Sequence, residues 1–300
     1  MTDADRGLLA KAEALASEWA PGSRVQQTRR LRGGISAQMF ALDLALADGA
    51  RTTVVARFPN PELVRYFSDP VQQEFLTLSR VTEAGIPAPK PLAANHELLL
   101  LEYLSGTSTA APQDVESFVD QMAEVLATIH DTDLGSGQFD FLLETRFAFR
   151  PPGRTPNLDL RESDVIEAAV SRAPRTPWRP VLRHGDFWPG NLLWTDGQLT
   201  GVVDWENALR GPALADLSIT RLDIRWVLGR RAAERFTDRY LKMRPLDLTD
   251  LTYWDLRAAL RPMENLEEWA GAYAALGRPD VTYEHMRDVL LEFIDEALTA

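Results

Sequence analysis

Helical and strand-like periods alternate along the first third of the chain. Over residues 3–20, Leu8, Leu9, Ala12 and Leu15 recur at the spacing of an amphipathic helix, and Pro21-Gly22 ends the pattern. Residues 39–47 and 52–58 read as two strands joined at the turn Asp48-Gly49, with Pro59-Asn60-Pro61 closing the second. Together they predict a small antiparallel sheet. Residues 71–84 carry Phe75, Leu76, Leu78 and Val81 on a helical pattern that stops at Gly85-Ile86-Pro87, and 97–104 read as a short buried strand. Past the connector Ser105-Gly106-Thr107-Ser108, helical patterns take over at 113–131, 162–172, 213–243 with a break, 248–276 and 281–298. The predicted division is a sheet-bearing N-lobe, 1–104, and a helical C-lobe, 105–300. No internal repeat or low-complexity tract interrupts it.

Composition narrows the function. Of 300 residues, 45% are apolar, enough for two lobes that each bury a core. The net charge of −12 disfavours nucleic acid and anionic membrane as partners, because phosphate-rich surfaces reward clustered Lys and Arg. No apolar run reaches membrane-spanning length, and the acidic start Met1-Thr2-Asp3-Ala4-Asp5 does not read as a signal peptide. The absence of cysteine removes thiolate chemistry and fits a cytoplasmic protein. Between Pro245 and Ala300 twelve acids face four arginines, so charge points to a cationic partner. Lysine occurs only at 11, 90 and 242, which limits any lysine-dependent step.

One run carries chemistry. Leu182 to Trp194 reads L-R-H-G-D-F-W-P-G-N-L-L-W, followed by the turn Asp196-Gly197 and the strand 199–204 ending in Asp204. H-x-D-x-x-x-x-N, a hairpin and an apolar strand ending in Asp resemble the catalytic and metal-binding segment of the aminoglycoside-phosphotransferase family, to which choline-kinase-like enzymes are similar. The resemblance implies an α+β, two-lobed protein-kinase-like fold: a small N-lobe with an antiparallel sheet plus helix, and a larger helical C-lobe. It also implies a phosphotransferase that uses ATP or GTP with Mg²⁺. Phosphoryl transfer needs an aligned hydroxyl and neutralised phosphate oxygens. In that frame Asp186 takes the hydroxyl's proton, while Asn191 and Asp204 offer hard oxygen ligands suited to Mg²⁺. His184 shapes the loop, and Asp216 braces it from a following helix.

The same resemblance assigns the nucleotide side. Arg57 stands where relatives place a basic phosphate contact, with Glu74 as its helix partner, and Arg binds as a planar fork where Lys binds as a point. Gly33, Gly34 and Ser36 form a loop whose backbone can approach phosphate. The Glu102 carbonyl and Leu104 amide would meet the base edge. Only twelve positions separate Asp204 from Asp216, too few for a protein kinase's activation segment, and no A-P-E follows. A small-molecule acceptor is therefore expected. Trp188, Glu264, Glu267, Glu268 and Trp269 are candidate acceptor contacts, the acids suiting an ammonium-rich molecule such as an aminoglycoside or another basic antibiotic. Homoserine, choline, a fructosamine or a sugar are the alternative acceptors within the family; a second class holds a nucleotide-binding pseudokinase, against which the intact Asp186, Asn191 and Asp204 set argues, and an AMP-transferring enzyme.

Overall fold

A computed structural model describes residues 3–31, 37–60, 68–145, 154–174 and 177–300. The chain divides into two compact units: Met1–Ser105 with Gly201–Glu206, and Gly106–Thr200 with Asn207–Ala300. The division matters for chemistry, because the segment bearing Asp204 belongs to the first unit and not to the unit that precedes it in sequence. Among the described residues no helix is long and apolar enough to cross a membrane.

The first unit begins with α1 (Asp3–Trp19), followed by β1 (Arg24–Arg30), β2 (Gln38–Ala45) and β3 (Arg51–Phe58). After α2 (Pro70–Glu83) come β4 (Pro91–Ala94) and β5 (Leu99–Glu102). The strands form one antiparallel sheet in the order β1-β2-β3-β5-β4. Period-two alternation decides its faces. Phe40, Leu42 and Leu44 of β2, Val54, Ala56 and Phe58 of β3, and Leu98 and Leu100 pack with Leu9, Ala12, Leu15 and Ala16 of α1. Phe40 and Phe58 meet edge to face at 6.2 Å. Arg57 lies on the opposite face, aligned with Met39 and Leu99 on its two neighbouring strands. Asp69 caps α2 by accepting from the Gln72 amide at 2.9 Å, and Pro70 fits its first turn. Residues 201–206 join this unit through the Val202 amide, which donates to the Pro87 carbonyl at 2.6 Å.

In the second unit, α3 (Val115–His130) and α4 (Glu162–Ser171) precede β6 (Val181–Arg183), which pairs antiparallel with β9 (Leu209–Gly211). Between them lies the hairpin of β7 (Leu192–Thr195) and β8 (Gln198–Val202). Its turn is type I′: Asp196 and Gly197 both have positive φ, 51° and 75°. Five helices follow: α5 (Ala213–Leu228), α6 (Arg230–Met243), α7 (Leu251–Ala259), α8 (Leu266–Ala275) and α9 (Tyr283–Thr299). The 248–276 pattern is thus two helices, broken where Pro262 cannot continue the first. Gly229, at φ 83°, separates α5 from α6. Helix α5 is buried around nearly its whole circumference and packs against α6, α7 and α9. Its buried polar residues, Asp216, Ser218, Thr220, Asp223 and Arg225, are costly in a core unless each finds a partner. Several of those partners lie at the candidate site.

Candidate active site

The loop after β6 is held by its backbone. Gly185 has φ 81°, and a Cβ there would sit 2.3 Å from the Asn207 carbonyl oxygen, so only glycine fits the turn. The carboxylate of Asp216 on α5 accepts from Arg183 Nε at 2.8 Å, from the His184 amide at 2.8 Å and from the Gly185 amide at 3.3 Å. Burial opposes its ionisation, yet Arg183 and the two histidines hold the carboxyl well below the usual range. His130, at the end of α3, faces Asp216 through Nε2 at 3.5 Å and the Tyr240 hydroxyl through Nδ1 at 2.6 Å. Burial pushes His130 down, to the neutral form. An ionised carboxylate can only accept, so Nε2 carries the proton and Nδ1 accepts from Tyr240. Farther along, Thr220 Oγ1 donates to the Phe187 carbonyl at 2.8 Å. His184 Nδ1 accepts from the Asp186 amide at 3.3 Å and so helps to shape the loop.

This scaffold brings Asp186 and Asn191 together. Asn191 Nδ2 donates both to the Asp186 carbonyl at 2.9 Å and to its Oδ2 at 3.0 Å. With the amide nitrogen so engaged, Asn191 Oδ1 is left accepting no hydrogen bond from the described residues. Asp186 Oδ1 accepts from Arg261 Nη2 at 2.7 Å. Behind Arg261 lies Asp223, whose carboxyl burial pushes far up; the guanidinium pulls it back, and Asp186 adds to the upward shift. Tyr273 hydrogen-bonds Asp223 and meets Trp188 edge to face at 5.5 Å. Trp188 itself covers Gly190, where a Cβ would strike the indole at 2.3 Å.

The first unit holds a separate charged cluster. Buried Arg57 donates from Nε to Glu74 Oε2 at 2.9 Å, and from Nη2 to Asp204 Oδ1 and Glu206 Oε2, each at 2.6 Å. Burial opposes its charge, but the three carboxylates raise the guanidinium above its ordinary value. Burial pushes Glu74 up, against the pull of Arg57. Asp204 has φ 67°, a left-handed backbone that costs a non-glycine residue about 1–3 kcal/mol and persists only where its surroundings over-determine it. Its Oδ2 accepts no hydrogen bond from the described residues.

A family model described as the phosphotransferase enzyme family matches residues 27–255. The chain belongs to the phosphotransferase enzyme family. It is similar to stress response kinase A of Salmonella typhi, 29% identical over 211 residues that cover 63% of this chain. It is also similar to the serine/threonine protein kinase RdoA of Salmonella typhimurium, 30% identical over 191 residues covering 57% of this chain and 56% of that one. The match spans about 60% of the length of the first of these curated relatives. Among solved structures, amicoumacin kinase in complex with AMP-PNP, Ca²⁺ and Ami superposes with a TM-score of 0.66 at 15% identity, covering 97% of this chain and 94% of that one. The phosphotransferase-family chain therefore has the α+β kinase-like fold.

The remaining candidates from the sequence fall in several places. Gly33, Gly34 and Ser36 lie outside the described residues. Glu102 ends β5 with its side chain exposed, and the Leu104 amide just beyond it donates to no described residue. Trp269 lies under the Arg261 guanidinium at 5.7 Å. Exposed Glu264 pairs with Arg154 at 3.4 Å, while Glu267 and Glu268 are exposed in the first turn of α8. Of the acids farther along, Asp295 is taken by Arg161, and Glu296 by Arg225 and Arg230. Sequence reasoning missed Glu206, Asp223, Arg261 and Tyr273. A second acid two residues past Asp204 was a signal for Glu206; the others lie 37 to 87 positions from Asp186 and meet it only through helix packing.

Proposed function

We propose that this chain is a small-molecule kinase that moves the γ-phosphate of ATP or GTP onto a hydroxyl of a small acceptor. The observation that carries the reading is the Asn191 amide folded back on Asp186. One loop thereby offers a carboxylate to a hydroxyl and an amide oxygen to a metal. Asp186 orients the acceptor hydroxyl and takes its proton. Asn191 and Asp204 would each offer an oxygen of the hard type that suits Mg²⁺, a cation that neutralises phosphate oxygens and draws its other ligands from phosphate and water. Among the described residues no group of three or more His, Asp and Glu side chains forms a metal site by itself. Arg57, Glu74 and the loop of Gly33, Gly34 and Ser36 serve the phosphates, and Glu102 and Leu104 the base edge. Nε and Nη2 of Arg57 are taken by Glu74, Asp204 and Glu206, so Nη1, in contact with the Met39 sulfur at 3.8 Å, is the nitrogen left to face a phosphate.

On the acceptor side, Trp188 and Trp269 supply aromatic walls, and Glu267 and Glu268 can attract an ammonium-rich molecule. The short span between Asp204 and Asp216 supports a small acceptor. A protein serine or threonine is the second reading, favoured by the 30% identity to a relative named as a protein kinase. The test is ADP release with Mg²⁺ over basic antibiotics, amino alcohols, sugars and a peptide library, with mass spectrometry of the product. A small molecule gaining one phosphoryl group supports the proposal. Transfer of AMP, or nucleotide binding with no transfer to any class, contradicts it.

A further inference from the structure

The Asp186 carboxylate is held from two sides, and only one of them belongs to its own loop. Asn191 Nδ2 reaches Oδ2 at 3.0 Å, whereas Arg261, from the break between α7 and α8, reaches Oδ1 at 2.7 Å. The Asp186 side chain is 24% exposed, so water as well as Arg261 reaches it. The guanidinium is itself fixed. It lies over the Trp269 ring and within electrostatic reach of Asp223 on α5, which Tyr273 hydrogen-bonds in turn. A carboxylate has about four lone-pair sites, and one donor on each oxygen leaves one site per oxygen for an acceptor hydroxyl. Two donors from different elements fix both the rotamer and the plane of the carboxylate. Asn191 alone leaves the group free to swing about its single engaged oxygen.

We propose that Arg261 is a positioning residue that sets the plane of the Asp186 carboxylate, so that a free lone pair faces the acceptor hydroxyl. The proposal rests on the reading of Asp186 as the base. Misplacement of a reacting group by about 1 Å costs on the order of 10²-fold in rate. Loss of the fork should therefore appear in kcat and leave nucleotide affinity untouched. Lysine can restore the charge but not the planar geometry.

The experiment compares wild type, Arg261→Lys, Arg261→Gln and Arg261→Ala by ADP release with one acceptor that carries a free hydroxyl and that the wild type phosphorylates in the acceptor screen, with Asp186→Ala as the control and folding checked by circular dichroism. Expected for Arg261→Gln is a loss of roughly 10- to 100-fold in kcat, with the KM for nucleotide within about twofold. Arg261→Lys should fall between, and millimolar guanidinium should restore part of the kcat of Arg261→Ala, while ammonium should not. Wild-type kcat in folded Arg261→Gln, with Asp186→Ala inactive, overturns the positioning role and leaves the base assignment standing. A raised acceptor KM with kcat retained also overturns it, in favour of direct acceptor contact. Turnover retained in Asp186→Ala instead removes the reading beneath it. If the Gln and Ala variants do not fold, Arg261→Lys decides: reduced kcat in folded protein supports the role, and wild-type kcat refutes it.

Discussion

Replacing Asp216 by Asn keeps the shape of the side chain and removes its charge. The carboxylate serves Arg183 Nε and two loop amides within 3.3 Å, and its side chain is fully buried. In the variant one acceptor position becomes an NH₂ group, and it must point either at a guanidinium N–H or at the loop N–H groups. Arg183, with its side chain 7% exposed, then loses its counter-charge and keeps neutral acceptors alone, Thr145 Oγ1 at 2.9 Å among them. Breaking a buried pair by removing one partner costs about 3–5 kcal/mol. Because Thr145 and one amide oxygen persist, the lower end, about 3 kcal/mol, is expected. The His184-Gly185 backbone should also shift, with a loss in kcat on the order of 10²-fold. Equilibrium urea unfolding followed by tryptophan fluorescence reads the first effect, and ADP release the second. A loss below about 1 kcal/mol with kcat retained would refute the view that Asp216 holds this loop in place.

Three further outcomes follow from the same structure. Gly185→Ala combines a positive φ with a 2.3 Å clash on the Asn207 carbonyl, so it should cost about 1–3 kcal/mol in urea unfolding and depress kcat. Arg57→Met leaves Glu74, Asp204 and Glu206 without their cation; a loss of about 3–5 kcal/mol should appear in thermal or chemical unfolding, smaller for Arg57→Lys. His130 is held neutral below its ordinary value of 6.5, so the unfolded chain takes up a proton that the folded chain refuses. Stability should thus fall as pH drops below about 6.5, by up to about 1.4 kcal/mol per pH unit, until the folded-state value is reached. Urea titrations at several pH values should show His130→Gln lacking that component, and an unchanged slope would contradict the assignment.

What the sequence made legible divides by the range of the interactions. The elements α1, β2, β3 and α2 could be read to within a residue or two, because each has one buried face and therefore a period. Strand β1 could not, since R-V-Q-Q-T-R-R at the sheet edge is half exposed and alternates poorly. Strands β6 and β9, three residues each, are too short to carry a period. The helical pattern 248–276 hid a break at Pro262, and that break presents Arg261 to Asp186. Local chemistry was legible where spacing encodes it, as between Asp186 and Asn191. Arg261, Asp223 and Tyr273 carry no such signature, because only the packing of helices α5, α7 and α8 brings them near.

The most direct measurement of the central claim is single-turnover phosphoryl transfer from γ-labelled nucleotide by wild type and Asp186→Ala, with nucleotide and Mg²⁺ binding measured in parallel by calorimetry. The account predicts unchanged nucleotide affinity and a transfer rate at least about 10²-fold slower in the variant. Transfer at the wild-type rate would contradict it and move the reaction away from this loop.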